Sequence, residues 1–302
     1  MEQLVKLLPI SQDTPIYLAI DVGIAIILLF SIRSLSGFFS KKSVRKELGE
    51  KDNFAFGISM AGRMLSLTIV LSAVVGRHIG LGYDVAAIGM LLFGASGLFL
   101  VKVGRFAHDK LVLNRLDKDE MIDQKNVSVA LVDAASAIAS ALITKSIIDW
   151  AQGTDTKAFV AVFSGALVTL SVLLFATRLY EYRFKESNQS HSFQKTLTKG
   201  QVALAIQHCG NLIGIAIAVS SASKILQYDP DGYVSNLTGW LIVGLGLAVI
   251  LMVMTSITKR IVLLGVKWQS EVVLQHNIGV ASIEAVLSIG IALLFSQIFV
   301  VV

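Results

Sequence analysis

Eight stretches of about 20 mostly apolar residues run through the chain, each the length a helix needs to cross roughly 30 Å of hydrocarbon. They lie near residues 15–39, 54–76, 82–103, 127–149, 158–179, 202–224, 234–257 and 278–301. No water is present in a bilayer core to satisfy backbone groups, so only helices and closed barrels span it. Unbroken apolar runs such as residues 25–30 (AIILLF) exclude barrel strands, whose lipid-facing and lumen-facing residues alternate. The chain therefore reads as an all-α, polytopic membrane helical bundle with eight transmembrane helices. Composition agrees, with 54% of residues hydrophobic and 16% charged, against about 45–50% and about 25% in soluble domains. The opening MEQLVKLLP is weakly basic and no small-residue cleavage site follows the first stretch, so that stretch reads as an uncleaved helix.

The basic residues cluster in the loops after the odd-numbered spans: Lys41, Lys42, Arg45, Lys46 and Lys51, then Arg105, Lys110, Arg115, Lys118 and Lys125, then Arg183, Lys185, Lys195 and Lys199, then Lys259, Arg260 and Lys267. The other side has little beyond Arg77, Lys157 and Lys224. The positive-inside rule makes the first set cytoplasmic and places both termini outside. Spread over loops in this way, the formal net charge of +5 is no basic patch, and nucleic acid is not expected as a partner. The single cysteine, Cys209, sits in an apolar run and supports neither a disulfide framework nor a cysteine metal cluster. No cofactor is implied.

Each even-numbered span opens on a related segment. KDNFAFGISMAGRMLS from Lys51, KNVSVALVDAASAIA from Lys125, GQVALAIQHCGNLIG from Gly200 and HNIGVASIEAVLSIG from His276 align without gaps on Asn53, Asn126, Gln201 and Asn277. These anchors stand 73, 75 and 76 residues apart. The spacing predicts four two-helix parallel repeats, each an outer-to-inner span, a basic loop and an anchored inner-to-outer span. Four residues past the anchors stand Gly57, Ala130, Ala205 and Ala281, and eight past them Ala61, Ala134, Cys209 and Ala285. Small residues at that spacing let membrane helices approach closely and predict a packing seam.

The Lys-Asp-Asn segment with the following FAFGISMAG at Lys51–Gly62, the related segments at Asn126, Gln201 and Asn277, and the basic loops before them resemble the YjfL-type family of small bacterial inner-membrane proteins, a four-span domain of unknown function. The resemblance implies two tandem copies, residues 1–150 forming a first four-helix membrane unit and residues 151–302 a second. The second copy departs from the Lys-Asp-Asn pattern, with Lys-Gly-Gln at Lys199–Gln201 and Gln-His-Asn at Gln275–Asn277. The family also implies a bacterial inner membrane and an association with envelope-stress systems, and it carries no active site to transfer.

Ionisable side chains inside a span are costly, about 2.5–3.5 kcal/mol each on insertion scales, and are default functional candidates. Seven residues past the anchors the column reads Met60, Asp133, His208, Glu284; ten past, it reads Arg63, Ser136, Asn211, Leu287. These levels lie about 10 and 15 Å into each helix. In one reading Asp133, His208, Glu284 and Arg63, with Asn211 and Ser136, converge into a proton-titratable or ion-binding cluster. In the other they form a hydrogen-bonded and ion-paired network that fixes helix order. One histidine and two carboxylates make a poor metal set, and none is assigned. Asp21 and Asp84, near outer helix ends, read as solvated, and Arg33, Arg178 and Lys259 as topology signals at inner helix exits.

The chain contains no GxSxG elbow, HExxH pair, Walker A loop or GxGxxG after a strand, and its loops of at most about 20 residues are too short for a catalytic domain. No enzyme activity is expected. Two functions stay open: an ion- or proton-conducting channel or transporter module using the buried column, and a non-transporting envelope-stress or membrane-homeostasis protein that docks cytoplasmic partners. Besides the lipid bilayer, a cytoplasmic or membrane protein partner and a homo-oligomer are compatible with the sequence.

Overall fold

The computed structural model describes residues 11–40, 43–187 and 192–299. The weakly basic opening, Lys41, Lys42 and the end of the eighth apolar stretch lie outside these residues. Eight long helices follow in order: α1 (Thr14–Ser40), α2 (Phe54–Leu71), α3 (Tyr83–Leu111), α5 (Val127–Trp150), α6 (Thr156–Ser187), α8 (Val202–Ser220), α9 (Tyr233–Val262) and α11 (Ile278–Ile298). Between them lie three short loop helices, α4 (Lys118–Asp123), α7 (Phe193–Thr198) and α10 (Trp268–Val273), a π-helical turn at Lys46–Glu50 and a 3-10 turn at Ser221–Lys224. Each long helix has a segment long and apolar enough to cross a membrane, and no strand occurs among the described residues. The protein is a multi-pass, all-α membrane protein.

The helix ends depart from the apolar stretches in two instructive ways. First, α2 stops at Leu71 because residues 72–80 form successive turns, with Gly76 and Gly80 at φ +78° and +85°, a region that favours glycine. Asp21 and Arg77 hold these turns. The Asp21 carboxylate accepts the Gly76 N–H at 3.1 Å, and the Arg77 guanidinium donates to the carbonyls of Ile148 at 2.7 Å and Gly153 at 2.6 Å. Asp21 is therefore buried and bonded rather than solvated. Second, α3, α6 and α9 continue past their apolar stretches by one to two turns at the basic-loop end. There they carry Arg105, Arg183 and Lys259 as helical side chains.

The long helices form two layers. In one, α2 packs on α5, α5 on α8 and α8 on α11. In the other, α1 packs on α3, α3 on α6 and α6 on α9, and α3, α6 and α9 each also contact two neighbouring members of the first layer.

The first layer is assembled at its anchors. The residue before each anchor is left-handed, Asp52 at φ +48°, Lys125 at +61°, Gly200 at +77° and His276 at +56°. The chain thus turns sharply from loop helix into long helix. The Asn53, Asn126 and Asn277 carboxamide oxygens then accept the N–H three residues on, from Phe56, Val129 and Val280, each at 3.1 Å, which satisfies a helix-end donor. The amide nitrogens reach further. Asn53 donates to the Ile122 carbonyl at 3.0 Å, and Asn126 to those of Leu197 at 3.2 Å and Thr198 at 3.0 Å. Gln201, with one more methylene, makes no cap but donates to Val272 at 3.0 Å and Val273 at 2.7 Å. Each of these three anchors therefore clasps the loop helix that precedes the next member of the layer. Asn277, with no next member, donates to Glu271 of its own loop helix at 2.9 Å. Near the first anchor, Glu47 accepts from Asn53 and from Lys51 at 2.6 Å, and its hydrogen bond raises the Lys51 ammonium above its ordinary pKa.

Small residues set the spacing of the layer. A Cβ on Gly62 would fall 2.5 Å from the Ala134 Cα, and one on Gly210 would fall 2.3 Å from the Ala285 Cα. Ala134 and Ala285 belong to the expected seam, eight residues past their anchors. Their partners come from a different column, nine past: Gly62, Ala135, Gly210 and Val286. The outermost members explain the exceptions. Ala61 is exposed and Val286 is 67% exposed, because each lies on an edge helix.

These contacts predict that Gly62→Ala and Gly210→Ala each cost about 1–3 kcal/mol through overpacking against a neighbouring backbone. Gly246→Ala, where an added Cβ meets nothing within 4 Å, should leave stability unchanged. Thermal unfolding of the purified variants measures both, and equal stability of all three would contradict the close approach.

Candidate functional site

The side chains two turns into the layer divide into two carboxylate sites with a histidine pair between them. Asp133 on α5 is fully buried. Its Oδ1 accepts from the Arg105 guanidinium at 2.6 and 3.3 Å and from the Lys118 ammonium at 2.9 Å. Its Oδ2 accepts from the Ser59 hydroxyl and lies 3.8 Å from Arg63. Lys118 also pairs with Asp109. Three cations and two carboxylates thus share one buried site, where every hydrogen bond to Asp133 repays part of a desolvation cost of several kcal/mol per ion. Arg105 on α3 and Lys118 on α4 arrive from the basic-loop side, so the site is fed from that end.

Glu284 on α11 is 1% exposed. Its Oε2 accepts from the Lys259 ammonium and from the Gln207 amide, both at 2.6 Å. Gln207 in turn accepts from the Tyr180 hydroxyl at 2.8 Å. Glu284 Oε1 has no hydrogen-bond partner among the described residues. Glu284 and Asn211 both line a cavity of about 290 Å³ between α6, α8, α9, α10 and α11.

His208 joins neither carboxylate. Its ring packs 6.2 Å from that of His108 on α3, 4.6 Å from Phe193 and 5.3 Å from Tyr180, and none of the four imidazole nitrogens of the pair has a hydrogen-bond partner among the described residues. Ser136 is turned away as well. Its hydroxyl donates to the Asp133 carbonyl at 2.9 Å, followed outward by Ser140 to Ser136 and Thr144 to Ser140, both at 2.8 Å. Among the candidates, Arg63 therefore lies against Asp133 and Asn211 lines the same cavity as Glu284, while the His208 ring and the Ser136 hydroxyl bond neither carboxylate. No three His, Cys, Asp or Glu side chains form a metal site among the described residues.

The two carboxylate sites lie at one level. Beyond them, towards the turn side of the bundle, the Ser140 and Thr144 hydroxyls are spent on their own helix, Ser146 donates to the Ser220 carbonyl of α8 at 2.8 Å, and a core of Ile143, Ile147, Val219, Leu247, Trp150 and Trp240 fills the interior. Trp150 and Trp240 meet edge to face at 5.4 Å.

The family model described as Domain of Unknown Function (DUF350) matches residues 9–148 and again residues 153–299. The chain belongs to this family. No curated protein and no solved structure matches it.

The two DUF350 copies are built on one plan around their carboxylates. Ser59 and Gln207, each six past an anchor, donate to Asp133 and Glu284, each seven past the next one. Arg63 and Asn211 stand ten past the same anchors. A cation from the overrunning end of α3 or α9 completes each site. Arg105, Lys118 and Lys259 look in the sequence like loop charges; the overrun of their helices, or the placing of α4 against α5, turns them inward. The matching offsets of Ser59 and Gln207 are the sequence signal that points to the donors.

The copies differ in what the carboxylate supports. Asp133→Asn leaves Arg63, Arg105 and Lys118 facing one another with Asp109 as the carboxylate paired among them, and should cost about 3–5 kcal/mol, the range for removing one partner of a buried ion pair. Glu284→Gln leaves a single cation, Lys259, beside a cavity, and should cost clearly less. Thermal unfolding of the two variants compares them; an equal loss would show that the Asp133 cluster is not the heavier structural charge site.

Proposed function

We propose that this DUF350 protein is a non-conducting, non-enzymatic membrane module that acts at its basic-loop face. The observation that carries the reading is that the two carboxylate sites lie at one level and are backed, on the side away from the basic loops, by a tightly packed apolar core and by the self-bonded hydroxyls of Ser140 and Thr144. A conduction path needs exchangeable polar groups at successive depths, whereas here the Ser140, Thr144 and Ser146 hydroxyls beyond the carboxylate level already donate to backbone carbonyls. The four anchored helices are read as four copies of a two-helix unit, two in each DUF350 copy, joined by the anchor clasps. The two bundle halves are assigned to residues 1–150 and 151–302. Under the positive-inside rule the basic loops face the cytoplasm of a bacterial cell from its inner membrane, and both termini lie outside. The short loop helices then form the surface offered to a cytoplasmic partner in membrane homeostasis.

Flux measurements on the full chain in liposomes test this. Proton, potassium, sodium and chloride leak between pH 5 and 8 should match that of empty liposomes and should not change with Asp133→Asn or Glu284→Gln. A flux above the empty control that either substitution abolishes would restore the transport reading.

A further inference from the structure

The cavity beside Glu284 holds acceptors and cations that the protein itself does not use. Glu284 Oε2 is saturated by Lys259 and Gln207, yet Oε1 is buried with no donor among the described residues. The Thr255 hydroxyl, on another lining residue that is only 6% exposed, also has no partner among the described residues. Leaving a buried polar group without a hydrogen bond costs about 1–3 kcal/mol, so two such groups on residues that line one cavity point to groups that a bound molecule satisfies. At the rim stand Arg183 and Arg260, both exposed, and neither pairs with a carboxylate among the described residues.

The charges select the ligand. Glu284 and Lys259 cancel, and the two arginines leave the cavity with an excess of positive charge that favours an anion. Guanidinium groups suit phosphate in particular, through paired N–H donors. An anion made only of acceptor oxygens would face the Glu284 carboxylate with like charge. A phosphate ester that also carries hydroxyl groups meets both demands, its phosphate at the arginines and its hydroxyls at Glu284 and Thr255. The volume of about 290 Å³ lies at the small end of ligand pockets. The rim lies at the basic-loop end of α6 and α9, beside Tyr182, Ile257 and Ile261, which are exposed on these helices. That is the level of phospholipid headgroups in the nearer leaflet.

We propose that the second DUF350 copy binds a polyol phosphate ester, with glycerol phosphate as the simplest case, in the cavity between α6, α8, α9, α10 and α11. The first copy has no such vacancy at its carboxylate, because both oxygens of Asp133 are already engaged. The proposal goes beyond the functional reading above and does not depend on whether the bundle conducts.

The ester can come from a lipid headgroup or from a soluble metabolite, and binding assays on the delipidated full chain in detergent separate the two. Short-chain phosphatidylglycerol, short-chain phosphatidylcholine and free glycerol 3-phosphate serve as probes. Phosphatidylglycerol should bind saturably and at least tenfold more tightly than phosphatidylcholine, which has the phosphodiester but no hydroxyl in its head. Arg183→Ala with Arg260→Ala, and separately Thr255→Val, should each weaken binding at least fivefold while the ligand-free unfolding temperature stays unchanged. Tighter binding of glycerol 3-phosphate than of phosphatidylglycerol would keep the site and assign it to a soluble ester. Equal affinity for the two lipids with no binding of glycerol 3-phosphate, or binding indifferent to these substitutions in folded protein, would overturn the proposal. The liposome flux result bears only on the earlier reading, so the two can fail separately.

Discussion

Within hydrocarbon a helix gains nothing by hiding an apolar face, so a membrane layer must be held by close contact and by polar bonds. Here both act on the same four helices. Gly62 against Ala134 and Gly210 against Ala285 bring backbones together where no side chain fits between them. At the basic-loop end, the amides of Asn53, Asn126 and Gln201 tie each helix to the loop helix that precedes its neighbour. These clasps set the relative height of the helices. That common height is why residues seven past one anchor meet residues six past another, and why the two carboxylate sites lie in a belt across the bundle instead of a column through it.

The two DUF350 copies show the same plan carried to different ends. In the first, Asp133 is ringed by Ser59, Arg63, Arg105 and Lys118, and the charge is locked in place. In the second, Asn211 stands where the first copy has Arg63, and a single lysine serves Glu284. Fewer cations leave one carboxylate oxygen unclaimed and a cavity beside it. Between the copies the corresponding position is His208, packed among His108, Phe193 and Tyr180, so the junction is aromatic where the flanking pairs are ionic.

Much of this is legible in the amino-acid sequence because bilayer thickness and the helix rise leave little freedom. The eight helices, their order and their anchors follow from apolar length and from the recurrence of Asn53, Asn126, Gln201 and Asn277. The depth of Asp133 and Glu284 follows as well. Whether those side chains meet depends on helix rotation, which the recurrence alone leaves open. Arg105 and Lys259 read as loop charges because hydropathy falls off before α3 and α9 actually end. The partners of Ala134 and Ala285 escaped the small-residue spacing because the contact joins residues eight past one anchor to residues nine past another. Asp21 and Arg77 hold a turn whose shape depends on left-handed glycines at positions 76 and 80, and local charge carries no sign of it.

The central claim is that the two carboxylate sites are reached from the basic-loop face and that no water path continues beyond them. Substituted-cysteine labelling in sealed vesicles, in a Cys209→Ala background and with a membrane-impermeant maleimide applied to each face in turn, tests it directly. Gln269→Cys at the mouth of the cavity should react from the basic-loop face, whereas Ser140→Cys and Thr144→Cys should react from neither. Labelling of Ser140→Cys or Thr144→Cys from either face would reveal a water path beyond the belt and contradict the account.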